Sequence, residues 1–99
     1  MKKVILMLSV VLSLNLVAAD GADLFKKCTG CHGTTGAKKA LGKSKIIANF
    51  SEKELTTALQ GYKDGTYGGA MKGLMKGQVV RMSTEDITTL SKYIVQLNK

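Results

Sequence analysis

Apolar positions along this chain fall into three helical stretches separated by glycine-rich connections. Residues 20 to 28 read as a first short helix, with Leu24, Phe25 and Cys28 close together on one side. A second helix is announced by Phe50-Ser51-Glu52-Lys53-Glu54-Leu55, where Ser51 caps, Glu54 answers and Phe50 staples to Leu55. Leu55, Ala58, Leu59 and Tyr62 then follow the i, i+3, i+4, i+7 spacing, and Gly61 offers a stop. Met82-Ser83-Thr84-Glu85-Asp86-Ile87 repeats the device, with Asp86 a weaker reply than Glu. Ile87, Leu90, Ile94 and Leu97 continue it as an apolar stripe, and Lys92 and Lys99 suit the helix dipole. Glycines at 33, 36 and 42 make residues 33–49 irregular, and those at 61, 65, 68, 69, 73 and 77 mark residues 61–81 as a long connection. Such connections are more often functional than idle. The chain has no proline, repeat or strand-like alternation. The pattern predicts an all-α fold of three main helices and glycine-rich loops.

One apolar run does not belong to that fold. Met1-Lys2-Lys3, the run from Val4 to Val17, and Val17-Ala18-Ala19 have the anatomy of a secretory signal, cleaved after Ala19. The alternative, a retained anchor, needs roughly 20 apolar residues, and this run is shorter. Residues 20–99 remain as a single soluble domain, monomeric by expectation. So short a domain is hard to stabilise on its own core. Thirteen Lys plus Arg against seven Asp plus Glu leave it at +6. Five aromatics and no basic run beyond Lys38-Lys39 argue against nucleic acid. Acidic protein partners fit better.

Cys28-Thr29-Gly30-Cys31-His32 decides the chemistry. This spacing is that of a c-type haem attachment site. Two intervening residues let both thiols add to the vinyl groups of one porphyrin, and the histidine that follows lies beneath the ring. A structural zinc site needs about four ligands, and only three candidates occur here, all within one turn. A thioredoxin-like pair wants a strand before it. A disulfide across two residues closes too small a loop to stabilise much. A covalently held porphyrin also supplies the apolar mass that a small domain lacks.

The chain's single histidine leaves the opposite face of the iron to methionine, whose soft thioether favours iron(II) and raises the potential. Met82 is accounted for as the staple partner of Ile87. Met71 and Met75, four residues apart in the glycine-rich connection, both remain candidates, with Met75 favoured. With both as mere pocket lining, the iron would be pentacoordinate. Lys26, Lys27, Lys38, Lys39, Lys72 and Lys76 are the candidate steering charges. A haem enzyme or sensor would want a polar group over the iron; the chain has no second histidine, and its one arginine, Arg81, sits beside a helix start.

Residues 20–99 resemble a small class I c-type cytochrome of the bacterial cytochrome c-553 kind. The resemblance rests on Asp20 to Phe25 leading into Cys28 to Gly33, on Leu59 to Gly69 with its Tyr67-Gly68-Gly69 turn, and on the terminal helix from Ser83. It implies a cytochrome c fold in which first and last helices cross and a middle helix closes the pocket. It implies one haem c bound through Cys28 and Cys31, with His32 and Met75 as axial ligands. It implies a periplasmic one-electron carrier between respiratory partners rather than an enzyme. Without the proline-containing turn of larger relatives, a carbonyl near Ala40 to Gly42 is expected to orient His32.

Overall fold

The structure is a computed structural model in which residues 20–42 and 44–99 are described. The expected signal segment, residues 1–19, lies outside the described residues. Asp20 begins the fold as a cap, its Oδ1 accepting the Asp23 N–H at 2.9 Å. Helix α1 (Gly21–Phe25), a 3₁₀ turn (Lys26–Cys28) and helix α2 (Thr29–His32) then run end to end. Phe25, Cys28 and Thr29 all keep right-handed helical dihedrals at the junctions. The helical path therefore passes through the cysteine motif instead of ending at Cys28. It stops at Gly33, whose φ of +84° takes the chain off the helix.

Helix α3 (Glu52–Asp64) starts as expected. Ser51 Oγ accepts from Glu54 N at 3.0 Å and Glu54 Oε1 accepts from Ser51 N at 2.8 Å. It does not stop at Gly61. The terminus is Gly65, left-handed at φ +83°, where the absence of a Cβ is needed. Gly61 is small for another reason: a Cβ there would stand 2.5 Å from Tyr67 Cβ.

The connection from 61 to 81 contains a helix that the glycine content concealed, α4 (Lys72–Val79). Gly73 and Gly77 meet nothing within 4 Å, whereas Met75 packs on the core and Val79 is 2% exposed. Each glycine costs a helix about 1 kcal/mol. Burying a valine side chain returns about 1.5–3 kcal/mol, so packing offsets a poor local propensity. Helix α5 (Thr84–Leu97) has a full capping box, Asp86 reaching Ser83 N at 3.1 Å despite its shorter side chain. Its inward face is Ile87, Leu90, Ser91 and Ile94.

No strand occurs among the described residues, so the all-α expectation holds with more helix than anticipated. Helix α1 packs on α5, with Gly21 lying directly against Tyr93 and the Phe25 and Tyr93 rings 5.8 Å apart. Helix α3 packs on both α4 and α5. Phe25, Leu55, Leu59, Val79, Met82, Ile87, Leu90 and Ile94 form the shared core. Lys63 Nζ donates to the Met82 carbonyl, tying α3 to the start of α5. Residues 33–42 and 44–50 lie on the remaining side and include two 3₁₀ turns, Ala40–Gly42 and Ile47–Asn49. Asn98 Nδ2, donating to Thr35 O at 2.9 Å, pins that side to the end of α5.

Candidate haem-binding site

The helices leave between them a cavity of about 610 Å³. From the first helical path it receives Cys28, Cys31 and His32; from α3, Leu59 and Tyr62; from α4 and its approach, Tyr67, Met71 and Met75. Leu90 and Ile94 of α5 complete its apolar wall. The motif is thus gathered opposite no single residue but into one space with both candidate methionines. Met82 lines that space too, while 3% exposed in the core, so its staple role does not separate it from the site.

Chemistry at the motif follows from burial. His32 is 6% exposed, and burial pushes its imidazole below the ordinary histidine range, keeping the ring neutral as a metal ligand must be. Its Nδ1 is buried and has no hydrogen-bond partner, which leaves Nε2 as the nitrogen presented to the cavity. No carbonyl of the Ala40–Gly42 turn takes the Nδ1 proton, contrary to expectation. Leu41, in the left-handed region at φ +54°, turns that segment into a separate, exposed corner. What holds His32 instead is backbone: its carbonyl accepts from Lys38 N at 3.0 Å.

Cys28 is half-buried and Cys31 exposed, and the two are not joined to each other. Burial raises the Cys28 thiol above its usual range, against the opposing pull of Lys27 and with a small push from Cys31. A protonated thiol is a poor metal ligand and a poor redox nucleophile. Among the described residues no cluster of His, Cys, Asp and Glu is suited to hold a metal ion.

From the sequence, core packing and a role at the cofactor are equally open for Tyr62 and Tyr67, and neither is assigned to the site. Both line the cavity, their rings 5.1 Å apart and nearly perpendicular. Burial, then the neighbouring Tyr67, raises the Tyr62 phenol, which stays a donor. Leu41 and Leu74 line its mouth while 57% and 49% exposed. Lys27, Lys45 and Lys72 stand there as well, and the lining contains no Asp, Glu or Arg among the described residues.

Comparison with known proteins decides what such a cavity belongs to. The family model for cytochrome c matches residues 18–98. The chain belongs to the cytochrome c family. Cytochrome c-553 of Helicobacter pylori (strain J99) is 45% identical over 98 residues, covering 98% of this chain and 99% of the relative. Cytochrome c-553 of Nitratidesulfovibrio vulgaris (strain Miyazaki F) is 37% identical over 102 residues, covering 98% and 100%. That of Desulfomicrobium norvegicum is 39% identical over 75 residues, covering 75% and 91%. A cytochrome c carries a covalently attached haem c, and the residues present fit that group. The cavity is apolar and within the volume range of cofactor sites, about 300–1,000 Å³. The chain's two cysteines border it with free thiols, and a neutral imidazole faces into it.

Proposed function

We propose that this chain is a one-electron carrier of the periplasm, its iron held by His32 and Met75, working between respiratory partners and not itself an enzyme. The observation that carries the reading is the shared cavity. It joins the attachment cysteines and a neutral histidine to a methionine-bearing helix, and its lining among the described residues contains no acidic or arginine side chain. When bound, haem c supplies an iron that passes between two oxidation states without making or breaking bonds.

Each side chain then has a definite task. With the haem bound, Cys28 and Cys31 would hold it covalently and His32 Nε2 would ligate its iron. Met75, half-buried on α4 and packed against the core, would be the second ligand, a thioether that favours iron(II). Met71, one turn earlier, lines the same space, and the likeness to c-553 cytochromes favours Met75 over it. Leu59, Val79, Leu90 and Ile94 exclude water. At the mouth, Leu41 and Leu74 give an apolar contact, and Lys27, Lys45 and Lys72 a positive rim, with Lys26, Lys38, Lys39 and Lys76 on the exposed surface. That combination suits brief docking of an acidic redox protein on a monomer, through an interface below ~1,200 Å². Export, with residues 1–19 removed, completes the reading.

Optical spectra of the oxidised and reduced protein after acid-acetone extraction test it. Haem that stays with the chain, low-spin bands, and a far-red methionine band lost in Met75→Ala but kept in Met71→Ala are the expected results. A high-spin spectrum indifferent to Met75→Ala would overturn the carrier.

A further inference from the structure

Among the described residues, one ammonium group ties two distant parts of the chain together. Lys63 Nζ, from the last turn of α3, donates to the Met82 carbonyl, 19 residues further on. Lys26, by contrast, pairs with Asp23 of its own turn, both side chains being exposed. We propose that Lys63 is a positioning residue for Met75: its bond to Met82 fastens the C-terminal end of α4 and so holds the thioether at the cavity. The assignment deepens the haem reading above and rests on it.

Little else holds α4. Eight residues make a helix too short to stand alone in water. Its N-cap, Met71, contributes no side-chain hydrogen bond, and Val79 is its one fully buried residue. Gly73 and Gly77 meet nothing within 4 Å, and Met75 itself is only half-buried. Helices α3 and α5, in contrast, each carry a full capping box and bury four residues. An anchor reaching from α3 therefore matters more to α4 than to any other helix.

The connection from that anchor to the methionine is continuous. Met82 is 3% exposed and lines the cavity, and its N–H donates to Val79 O at 2.9 Å. Val80 N donates to Lys76 O at 2.9 Å, closing the last turn of α4. The path thus runs from α3 through Lys63 to Met82, back through Val79, and one helical turn further to Met75. A hydrogen bond from a charged donor is of the strong kind, and this one is partly sheltered, because Lys63 is half-buried. Iron(III), the harder ion, holds a thioether less firmly than iron(II). The protein's own hold on Met75 therefore counts most in the oxidised state.

The test is the rate at which imidazole displaces the thioether in the oxidised, haem-bearing protein, followed by loss of the far-red band. Imidazole has a neutral form, which is not steered by the loss of one charge. Lys63→Leu keeps an apolar stem and removes the donor, Lys63→Gln falls one bond short of the carbonyl, and Lys63→Arg retains a cationic donor. Ser51→Ala is the control: it removes the cap at the far end of α3 and lowers stability without touching the tie to Met82. At one imidazole concentration, displacement should be at least about tenfold faster in Lys63→Leu and Lys63→Gln, the scale of a lost hydrogen bond from a charged donor. Lys63→Arg and Ser51→Ala should keep the parent rate. Parent rates in Lys63→Leu and Lys63→Gln would overturn the assignment. An equal acceleration in Ser51→Ala would do so too, since Lys63 would then act through overall stability alone. A parent protein without covalent haem, or without a far-red band removed by Met75→Ala, would instead sink the proposed function and this assignment with it.

Discussion

Gly61→Ala places a methyl group where the side chain of Tyr67 already lies. The new Cβ would stand 2.5 Å from Tyr67 Cβ and 3.3 Å from Cγ, inside a buried stretch of α3. Two effects oppose each other. Alanine is better than glycine in a helix by about 1 kcal/mol, and overpacking a filled core costs about 1–3 kcal/mol. The propensity gain can be measured separately, because Gly73→Ala adds the same methyl to α4 with nothing within 4 Å. Subtracting one from the other leaves the Tyr67 clash alone, about 1–3 kcal/mol. For a domain of this size each kcal/mol moves Tm by about 4–8 °C. Guanidinium and thermal unfolding of both variants, followed by far-UV circular dichroism, give the comparison. Gly73→Ala should melt above the parent and Gly61→Ala below Gly73→Ala by at least about 4 °C. Equal stability of the two would refute the reasoning, since it would mean Tyr67 yields without cost.

Other consequences follow from single features. Ser83→Ala removes both the side-chain acceptor for Asp86 N and the reciprocal box, so stability should fall by about 0.5–2 kcal/mol in denaturant titration, and Ser83→Asp should restore most of it. The Tyr62 phenol is raised by burial and by Tyr67, so its unfolded form loses the proton first as pH rises. Its contribution to stability is present below about pH 10 and is lost as pH climbs through the folded value; Tyr62→Phe should flatten that alkaline decline in a series of melts. Removing the charges of Lys72 and Lys76 together should shallow the salt dependence of electron transfer to an acidic partner, and an unchanged slope would remove these lysines from the docking face.

The two capping boxes were legible because six consecutive residues contain the entire device, acceptor, reply and staple included. Cys28, Cys31 and His32 were legible for a similar reason: their spacing alone is the chemistry. Helix α4 was not, since Gly73 and Gly77 read as loop residues and only the burial of Met75 and Val79 against other helices makes them helical. Gly61 misled for the same reason in reverse. Its bareness answers a side chain six positions on, not a helix terminus. Leu41 and Leu74 reach the cavity from separate segments, and no local pattern marks them. The expected carbonyl for His32 was an inference from relatives with proline, and here Leu41 turns that corner differently.

The uneven burial of the helices sets how the molecule breathes. Helices α1 and α5 interlock through Gly21 and Tyr93, and α5 alone contributes four buried residues, so neither frays without the other. Helix α4 buries only Val79 fully and holds two glycines on its open side. Local opening free energies follow such differences. Amide hydrogens of α4 will therefore exchange long before those of α5. Opening the segment that bears Met71 and Met75 therefore costs less than opening the packed pair of α1 and α5.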